Sequence, residues 1–137
     1  MTTKEWLNQA RRLQTQIDAQ REQIARLRAT IGCGTRNLSG MPGGGKKHDW
    51  TDTAIQAEEL EMRLDGNIRE LIALKQSILD AIEAVDDTDC RIVLEYRYLC
   101  GWSWQRIATA MHYDRTSVWR IHGRAVMKVE RAGNPPH

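Results

Sequence analysis

The sequence contains no phenylalanine, and it lacks the cysteine pattern of a disulfide-stabilised or zinc-stabilised protein. Its three cysteines, Cys33, Cys90 and Cys100, are odd in number and show no CxxC spacing. We therefore expect reduced thiols, with Cys90 and Cys100 as small residues of a core. The five tryptophans and three tyrosines supply the aromatic side chains.

Long apolar runs are also absent. No run approaches the roughly 20 residues that a helix needs to span a bilayer, and the start of the chain, MTTKEW, has no apolar signal-peptide core. A mean hydropathy of −0.58 suits a helix-rich protein without a membrane segment. We expect a cytoplasmic location.

The sequence offers no grouping of residues that could carry out catalysis. His48, His112, His122 and His137 are scattered, without metal-ligand spacing to cysteines or carboxylates. No serine lies in the turn context of a hydrolase nucleophile. We therefore expect no enzymatic activity, no metal and no cofactor, and we expect His122 to be packed at the edge of a core.

A long amphipathic pattern opens the chain. Residues 4–31 contain neither glycine nor proline, and apolar residues recur at spacings of four and three, with a polar interruption at Gln20. The members of this seam are Trp6, Ala10, Leu13, Ile17, Gln20, Ile24, Leu27 and Ile31. The repeat predicts a coiled-coil-like helix, and the charged residues around it are explained by a solvated face.

A second helix is predicted from an N-cap at Thr51 or Asp52 to about Val85. Its apolar stripe comprises Leu60, Leu64, Leu71, Leu74, Ile78 and Ile82. Two helices of similar length joined by a loop should lie antiparallel. Because two helices alone bury little surface, we expect this hairpin to pack on the C-terminal module or on a second copy, with a dimer favoured.

Glycines concentrate at residues 32–49, which are predicted to form a flexible loop between these helices. Residues 40–46 fit the GxxxxGK spacing of a phosphate-binding loop, but a helix precedes them and Lys47 replaces the hydroxyl residue that such a loop requires. A hairpin loop is the better interpretation. Contact of Lys46, Lys47 and His48 with DNA backbone or a partner protein is a further alternative.

The C-terminal third begins with an acidic junction, formed by Asp80, Glu83, Asp86, Asp87 and Asp89. Capping and dipole matching at the next helix account for these carboxylates, and repulsion of DNA is the alternative. The helix predicted at residues 88–99 is apolar on two faces. We expect it to link the hairpin to the last helices and to stop at Gly101.

Two short helical patterns then flank a tight break at residues 112–114. Ser103 and Asp114 are the predicted N-caps, because their side-chain oxygens can accept hydrogen bonds from the first helical turn. The apolar stripes are Ile107, Ala108 and Met111 on the first helix and Val118, Ile121, Ala125 and Val129 on the second. The opposite face of the second helix comprises Thr116, Arg120, Gly123, Arg124, Met127 and Arg131.

Positive charge concentrates in this region. Residues 97–131 carry seven arginine or lysine side chains and two carboxylates, a net charge of +5, whereas the whole chain carries +2. The remainder is therefore negative by about 3. A short helix, a tight turn and a second helix with an Arg/Ser/Thr outer face form the arrangement that reading the major groove of DNA requires.

Residues 91–124 resemble the promoter-reading helix-turn-helix in the fourth conserved region of bacterial sigma factors. The resemblance lies in YRYLCGWS at residues 96–103, IA at 107–108 and RTSVWRI at 115–121. The whole chain is similar to small phage and prophage proteins that place such a module after a helical hairpin, with SGMPGGG at 39–45 and RIHGRA at 120–125 as the matching stretches. Related phage proteins regulate late transcription. Gln105 and Arg106 depart from the pattern, which commonly has acidic residues there.

Together these observations predict an all-α protein with a long antiparallel helical hairpin (residues 1–85), a sigma-like helix-turn-helix module (residues 86–132) and a disordered tail (residues 133–137). The expected function is sequence-specific binding of double-stranded DNA by a phage or prophage transcriptional regulator. The residues expected to face bases are Arg115, Thr116, Ser117, Arg120 and Arg124. The residues expected to contact phosphates are Ser103, Gln105, Arg106, Lys128 and Arg131.

Two other functions stay open at this point. The module could dock on RNA polymerase or a sigma factor, with the hairpin as an assembly scaffold. Alternatively, the chain could recognise DNA for phage genome packaging, which would favour a ring-sized oligomer. The role of Trp119 also has two interpretations. Packing is its favoured interpretation, and contact with a sugar or a base methyl group is the alternative.

Overall fold

The computed structural model describes residues 1–36 and 50–135. Over these residues the protein is all-helical, without a strand, which confirms the predicted class. The helices are α1 (Thr3–Arg36), α2 (Trp50–Glu83), α3 (Thr88–Leu94), α4 (Trp104–Met111) and α5 (Arg115–Arg131), and a π-helical turn (Glu95–Leu99) follows α3 directly.

The chain divides into two compact units. One unit combines Met1–Gln14 with the chain from Glu70 onward, and the other comprises Thr15–Arg69. The first unit therefore draws residues from both sides of the boundary predicted near residue 86.

Helix α1 buries the seam that its sequence predicts. Trp6, Ala10, Ile17 and Ile24 are buried, and Leu13, Leu27 and Ile31 are half-buried. The helix continues past Gly32 and ends at Arg36, so residues 32–36 are helical rather than part of the predicted loop. Glycine lowers helix propensity by about 1 kcal/mol relative to alanine, which is too little to end a long helix by itself.

The unit at Thr15–Arg69 contains two polar contacts between α1 and α2. The Asn67 amide donates to Gln20 Oε1 at 2.9 Å, so the polar interruption of the seam has a partner. The Arg28 guanidinium donates to Glu61 Oε1 at 2.8 Å. The later residue of α1 thus contacts the earlier residue of α2. The Arg28–Glu61 pair is exposed and contributes at most about 1 kcal/mol.

Helix α2 begins slightly earlier than predicted. Thr51 and Asp52, predicted as the N-cap, lie inside the first turn of the helix. There the positive end of the helix dipole stabilises the negative charge of the Asp52 carboxylate. The predicted stripe lies on the packed side of the helix: Leu71, Ile78 and Ile82 are buried, and Leu60, Leu64 and Leu74 are half-buried. The helix ends at Glu83, close to the predicted Val85.

The acidic junction organises the start of α3. Asp87 is the N-cap, and its Oδ1 accepts a hydrogen bond from the Cys90 backbone N–H at 3.2 Å. Capping by this junction is therefore confirmed at Asp87. Asp86 forms an ion pair with Lys128 at 3.0 Å, and Asp89 accepts from the Tyr113 hydroxyl at 3.0 Å. Repulsion of DNA by the same residues stays a prediction.

The single helix predicted at residues 88–99 changes to π geometry at Glu95. The Cys100 N–H donates to Glu95 O at 3.0 Å and the Trp102 N–H donates to Tyr96 O at 2.9 Å, which satisfies two terminal carbonyls. Gly101 adopts a φ of +76°, as expected of a helix stop. Cys90 is buried as predicted, but Cys100 is exposed, because it lies beyond the last packed turn.

The C-terminal helices pack around α5. Helix α3 contacts α5, and α4 contacts both α5 and the π-helical turn. Leu94, Ile107, Val118 and Val129 have no exposed surface. Complete burial of each such side chain contributes about 1.5–3 kcal/mol, so these apolar stripes fix how α3, α4 and α5 are arranged.

Some predictions fall on residues that the structure does not describe. The GxxxxGK spacing at 40–46, with Lys46, Lys47 and His48, lies outside the described residues, as do residues 136–137 and the side chain of Cys33. Just before the end, the Asn134 carbonyl accepts a hydrogen bond from the Thr3 hydroxyl at 2.9 Å. None of the described helices is both long and apolar enough to cross a membrane.

Candidate nucleic-acid interface

A short turn joins α4 to α5, and side chains cap both helices. Ser103 Oγ accepts from the Arg106 N–H at 3.2 Å, and Asp114 Oδ1 accepts from the Ser117 N–H at 2.7 Å. Both predicted N-caps are confirmed. Between them, His112 adopts a left-handed conformation with a φ of 59°, and the Tyr113 N–H donates to Ala108 O at 3.0 Å. This is the hydrogen-bond pattern of a Schellman cap, which turns the chain sharply.

Helix α5 has one buried face and one exposed face. Its predicted stripe is confirmed, since Val118, Ile121, Ala125 and Val129 are all buried. On the opposite face Thr116, Arg120, Gly123, Arg124, Met127 and Arg131 are all exposed. The 3.6-residue repeat of the helix therefore presents one polar, mainly basic surface to solvent.

The residues predicted to face bases lie at the start and middle of this surface. Arg115, Thr116, Arg120 and Arg124 are exposed, and Ser117 is half-buried with its N–H on Asp114. Within the described chain, no hydrogen bond or ion pair links Arg115, Arg120 or Arg124 to a carboxylate. The guanidinium donors of these three arginines are therefore free to bind an external acceptor.

The residues predicted to contact phosphates form two groups. Ser103, Gln105 and Arg106 are exposed at the start of α4, where the Arg106 guanidinium lies 4.0 Å from the ring centroid of Trp102. Arg131 is exposed at the end of α5. Lys128 differs from the others, because its ammonium is paired with Asp86 at 3.0 Å and that ion pair lowers the pKa of the Asp86 carboxyl.

An aromatic cluster lies beside the basic surface. The Trp104 and Trp119 rings meet edge to face with centroids 4.8 Å apart, and Trp119 stacks on the His122 ring at 5.7 Å. The packing predicted for Trp119 is therefore present, although the residue stays 53% exposed. Cations flank the cluster: the Arg97 guanidinium lies 4.1 Å from the Trp104 centroid, and Lys4 Nζ lies 5.3 Å from that of Trp119.

The roles of Trp104 and Arg97 were not predicted from the sequence. Trp104 stands at the first position of α4, where no apolar periodicity marks it as packed. Arg97 lies in the π-helical turn, and the shift in helical register there changes which direction its side chain takes. The only available signal was the pair of tryptophans at 102 and 104, two residues apart around the N-cap Ser103.

A buried polar pair, Tyr98 and His122, lies next to this aromatic cluster. The Tyr98 hydroxyl lies 2.7 Å from His122 Nε2, and both residues are buried. Burial lowers the pKa of His122 to about 4, with Lys4 and Arg97 adding to the effect. Burial also raises the pKa of Tyr98 to about 12. A neutral imidazole and a neutral phenol share this hydrogen bond, and the burial of both rings confirms the packed position predicted for His122.

Arg97 connects the aromatic cluster to the turn before α4. Its Nη1 donates to Trp102 O at 3.0 Å, and Arg11 Nη1 lies 3.5 Å from the same oxygen and 3.3 Å from Arg97 O. Burial, and then the nearby Arg11 charge, lower the pKa of the Arg97 guanidinium. These contacts tie the start of α1 to the turn that positions Ser103 and Trp104.

The described residues contain no grouping of three or more His, Cys, Asp or Glu side chains that could hold a metal ion. The strongest chemical feature of the C-terminal helices is instead their array of exposed hydrogen-bond donors. Comparisons with protein-family models, with curated proteins and with solved structures find no match for this chain.

Proposed function

We propose that the chain binds double-stranded DNA sequence-specifically and acts as a phage or prophage transcriptional regulator. In this proposal α4, the turn and α5 form a sigma-like helix-turn-helix, and α5 is the recognition helix. One observation carries the proposal: the exposed face of α5 presents Arg115, Arg120 and Arg124 without carboxylate partners in the described chain, and side chains cap the N-termini of both α4 and α5.

Base recognition is assigned to Arg115, Thr116, Ser117, Arg120 and Arg124. An arginine guanidinium can donate two hydrogen bonds to guanine O6 and N7 in the major groove, and short hydroxyl side chains allow the helix to approach base edges closely. The burial of Val118 and Ile121 on the opposite face supports the assignment, because it fixes the rotation of α5 about its axis.

Phosphate contacts are assigned to Ser103, Gln105, Arg106, Lys128 and Arg131. The first three lie at the start of α4, where the helix dipole favours an anion. Lys128 would exchange the Asp86 carboxylate for a phosphate oxygen. Because Asp86 is exposed, losing this ion pair involves little free energy.

We also propose that α1 and α2 form an antiparallel hairpin through which two copies associate. The order of the Gln20–Asn67 and Arg28–Glu61 contacts supports antiparallel packing. Ile55, Met62 and Ile72 on α2 are 48%, 75% and 63% exposed, which leaves apolar surface for a second copy. A two-fold dimer would match two DNA half-sites separated by about one helical turn.

The proposal is tested by selecting duplexes from a random pool with the full chain and sequencing the bound fraction. A regulator is expected to enrich one motif with two related halves, and light scattering on the same complex is expected to give two chains per duplex. An unenriched pool together with a salt-resistant complex with RNA polymerase or a sigma factor would favour docking instead. A ring-sized oligomer would favour a packaging subunit.

A further inference from the structure

Trp119 is 53% exposed, although its ring packs against two neighbouring rings. The ring stacks on His122 with the planes 9° apart and meets Trp104 at 80°. His122 is itself fixed by the hydrogen bond to Tyr98. The exposed part of Trp119 therefore cannot collapse into the core, although burying its surface from water would be favourable.

The exposed ring forms one wall of an open groove of about 380 Å³, whose other walls are Trp104, Arg115 and Thr116. Arg115 lies four residues before Trp119 and Thr116 lies three before, so the three side chains share one face of the first turns of α5. The groove thus combines apolar aromatic walls with a guanidinium and a hydroxyl.

We propose that Trp119 is a specificity-determining residue that contacts the 5-methyl group of a thymine in the major groove. This inference rests on the proposed DNA-binding function and deepens it. Thymine is the base that presents an apolar group in that groove. A methyl group fits against an exposed indole without requiring a hydrogen bond, and Thr116 supplies a hydroxyl beside it.

Charge selects duplex DNA rather than an apolar peptide as the occupant. Arg115 lines the groove, and Lys4 lies over the Trp119 ring. An apolar peptide would have to cover these cations without neutralising them, which is unfavourable. A thymine brings its own flanking phosphates, which are the acceptors that such cations bind best.

The test uses the selected duplex and replaces each thymine in turn with deoxyuridine, which removes only the methyl group. At one thymine per half-site, the affinity of the wild-type chain is expected to fall about fourfold, the factor corresponding to one buried methyl-sized group. If no replacement changes the affinity while the motif is still bound, the inference is overturned and the proposed function stands. If no motif is bound at all, the proposed function itself fails.

A matched pair of variants assigns the effect to the residue. Trp119→Ala is expected to weaken binding to the thymine duplex and to abolish the difference between thymine and deoxyuridine. Glu130→Ala, which alters an exposed residue of the same helix that is assigned no DNA contact, is expected to keep that difference. Thermal unfolding of both variants checks that they are folded. A thymine preference that survives in Trp119→Ala, or a loss of polymerase binding but not of DNA binding, overturns the inference.

Discussion

The two arginines at the centre of the account differ in their surroundings. Arg120 lies exposed in the middle of the basic face of α5, whereas Arg106 lies at the start of α4 with its guanidinium over Trp102. A side chain that donates to a base edge discriminates between sequences, and one that binds a phosphate does not. The same change of arginine to alanine should therefore have two different outcomes.

We predict that Arg120→Ala weakens binding to the selected duplex by about 1–3 kcal/mol and relaxes its base preference, because a bidentate base contact is lost. Arg106→Ala is expected to weaken binding to all duplexes alike. Fluorescence anisotropy with selected and scrambled duplexes measures both effects. Arg69→Ala, which removes an exposed arginine from α2, controls for the change in net charge. Equal losses on both duplexes for Arg120→Ala would remove the base-reading assignment.

His122 makes stability depend on pH in a defined direction. Its folded pKa of about 4 lies below the unfolded value of 6.5, so between these values the unfolded chain binds a proton that the folded chain does not. Stability is therefore expected to rise by roughly 3 kcal/mol as the pH increases from about 4 to about 6.5, and to be lost as the pH falls. Denaturant unfolding across this range measures the change.

The matched variant for this prediction is His122→Gln, which keeps a hydrogen-bonding group near Tyr98 but does not titrate. Asp86 and Asp114, whose pKa values are lowered by their hydrogen-bonding partners, also lose stabilising contacts in acid. The difference between wild type and His122→Gln isolates the histidine. Parallel pH profiles for the two proteins would show that His122 is not held neutral.

Among the elements, α5 and α2 each contain one exposed glycine in mid-helix. A Cβ added to Gly123 or to Gly66 would meet no atom within 4 Å. We predict that Gly123→Ala and Gly66→Ala each stabilise the protein by about 0.5–1 kcal/mol, because alanine loses less backbone entropy in a helix. Thermal unfolding measures this. If Gly123→Ala destabilises while Gly66→Ala stabilises, α5 is not a regular, solvent-exposed helix at residue 123.

The elements also show where sequence reasoning succeeds. The caps at Ser103 and Asp114 and the stripe of α5 were predictable because local hydrogen bonds and a 3.6-residue repeat determine them. Gln20 was recognised as an interruption of its seam, but its partner Asn67 was not. That contact depends on how α1 and α2 align, which no short-range pattern encodes.

Other features depend on tertiary packing and were missed for that reason. The π-helical turn at Glu95–Leu99 shifts the register within a segment whose sequence reads as one helix. Cys100 consequently falls outside the core, and Arg97 reaches Trp104 and the carbonyl of Trp102. Helix α1 continues through Gly32 because the stability of a helix depends mainly on the packing of its apolar face, and the low helix propensity of one residue does not outweigh it.

At the scale of the whole molecule, charge is unevenly distributed. Residues 97–131 carry a net +5, while the chain as a whole carries +2. Such asymmetry directs one end of a protein toward a polyanion and speeds the encounter. Each cation that binds a phosphate releases counterions from the DNA, so the number of such contacts sets how steeply the affinity falls with salt concentration.

The most direct test is a salt titration of binding to the selected duplex and to a random one, with the oligomer mass measured on the same samples. We predict selective binding whose logarithmic salt slope is roughly −3 for each bound module, from phosphate contacts by Arg106, Lys128 and Arg131. Arg106→Ala should reduce the steepness by about 0.9. Binding that is indifferent to both sequence and salt, or no DNA binding even at low salt, would contradict the account and favour docking on a protein.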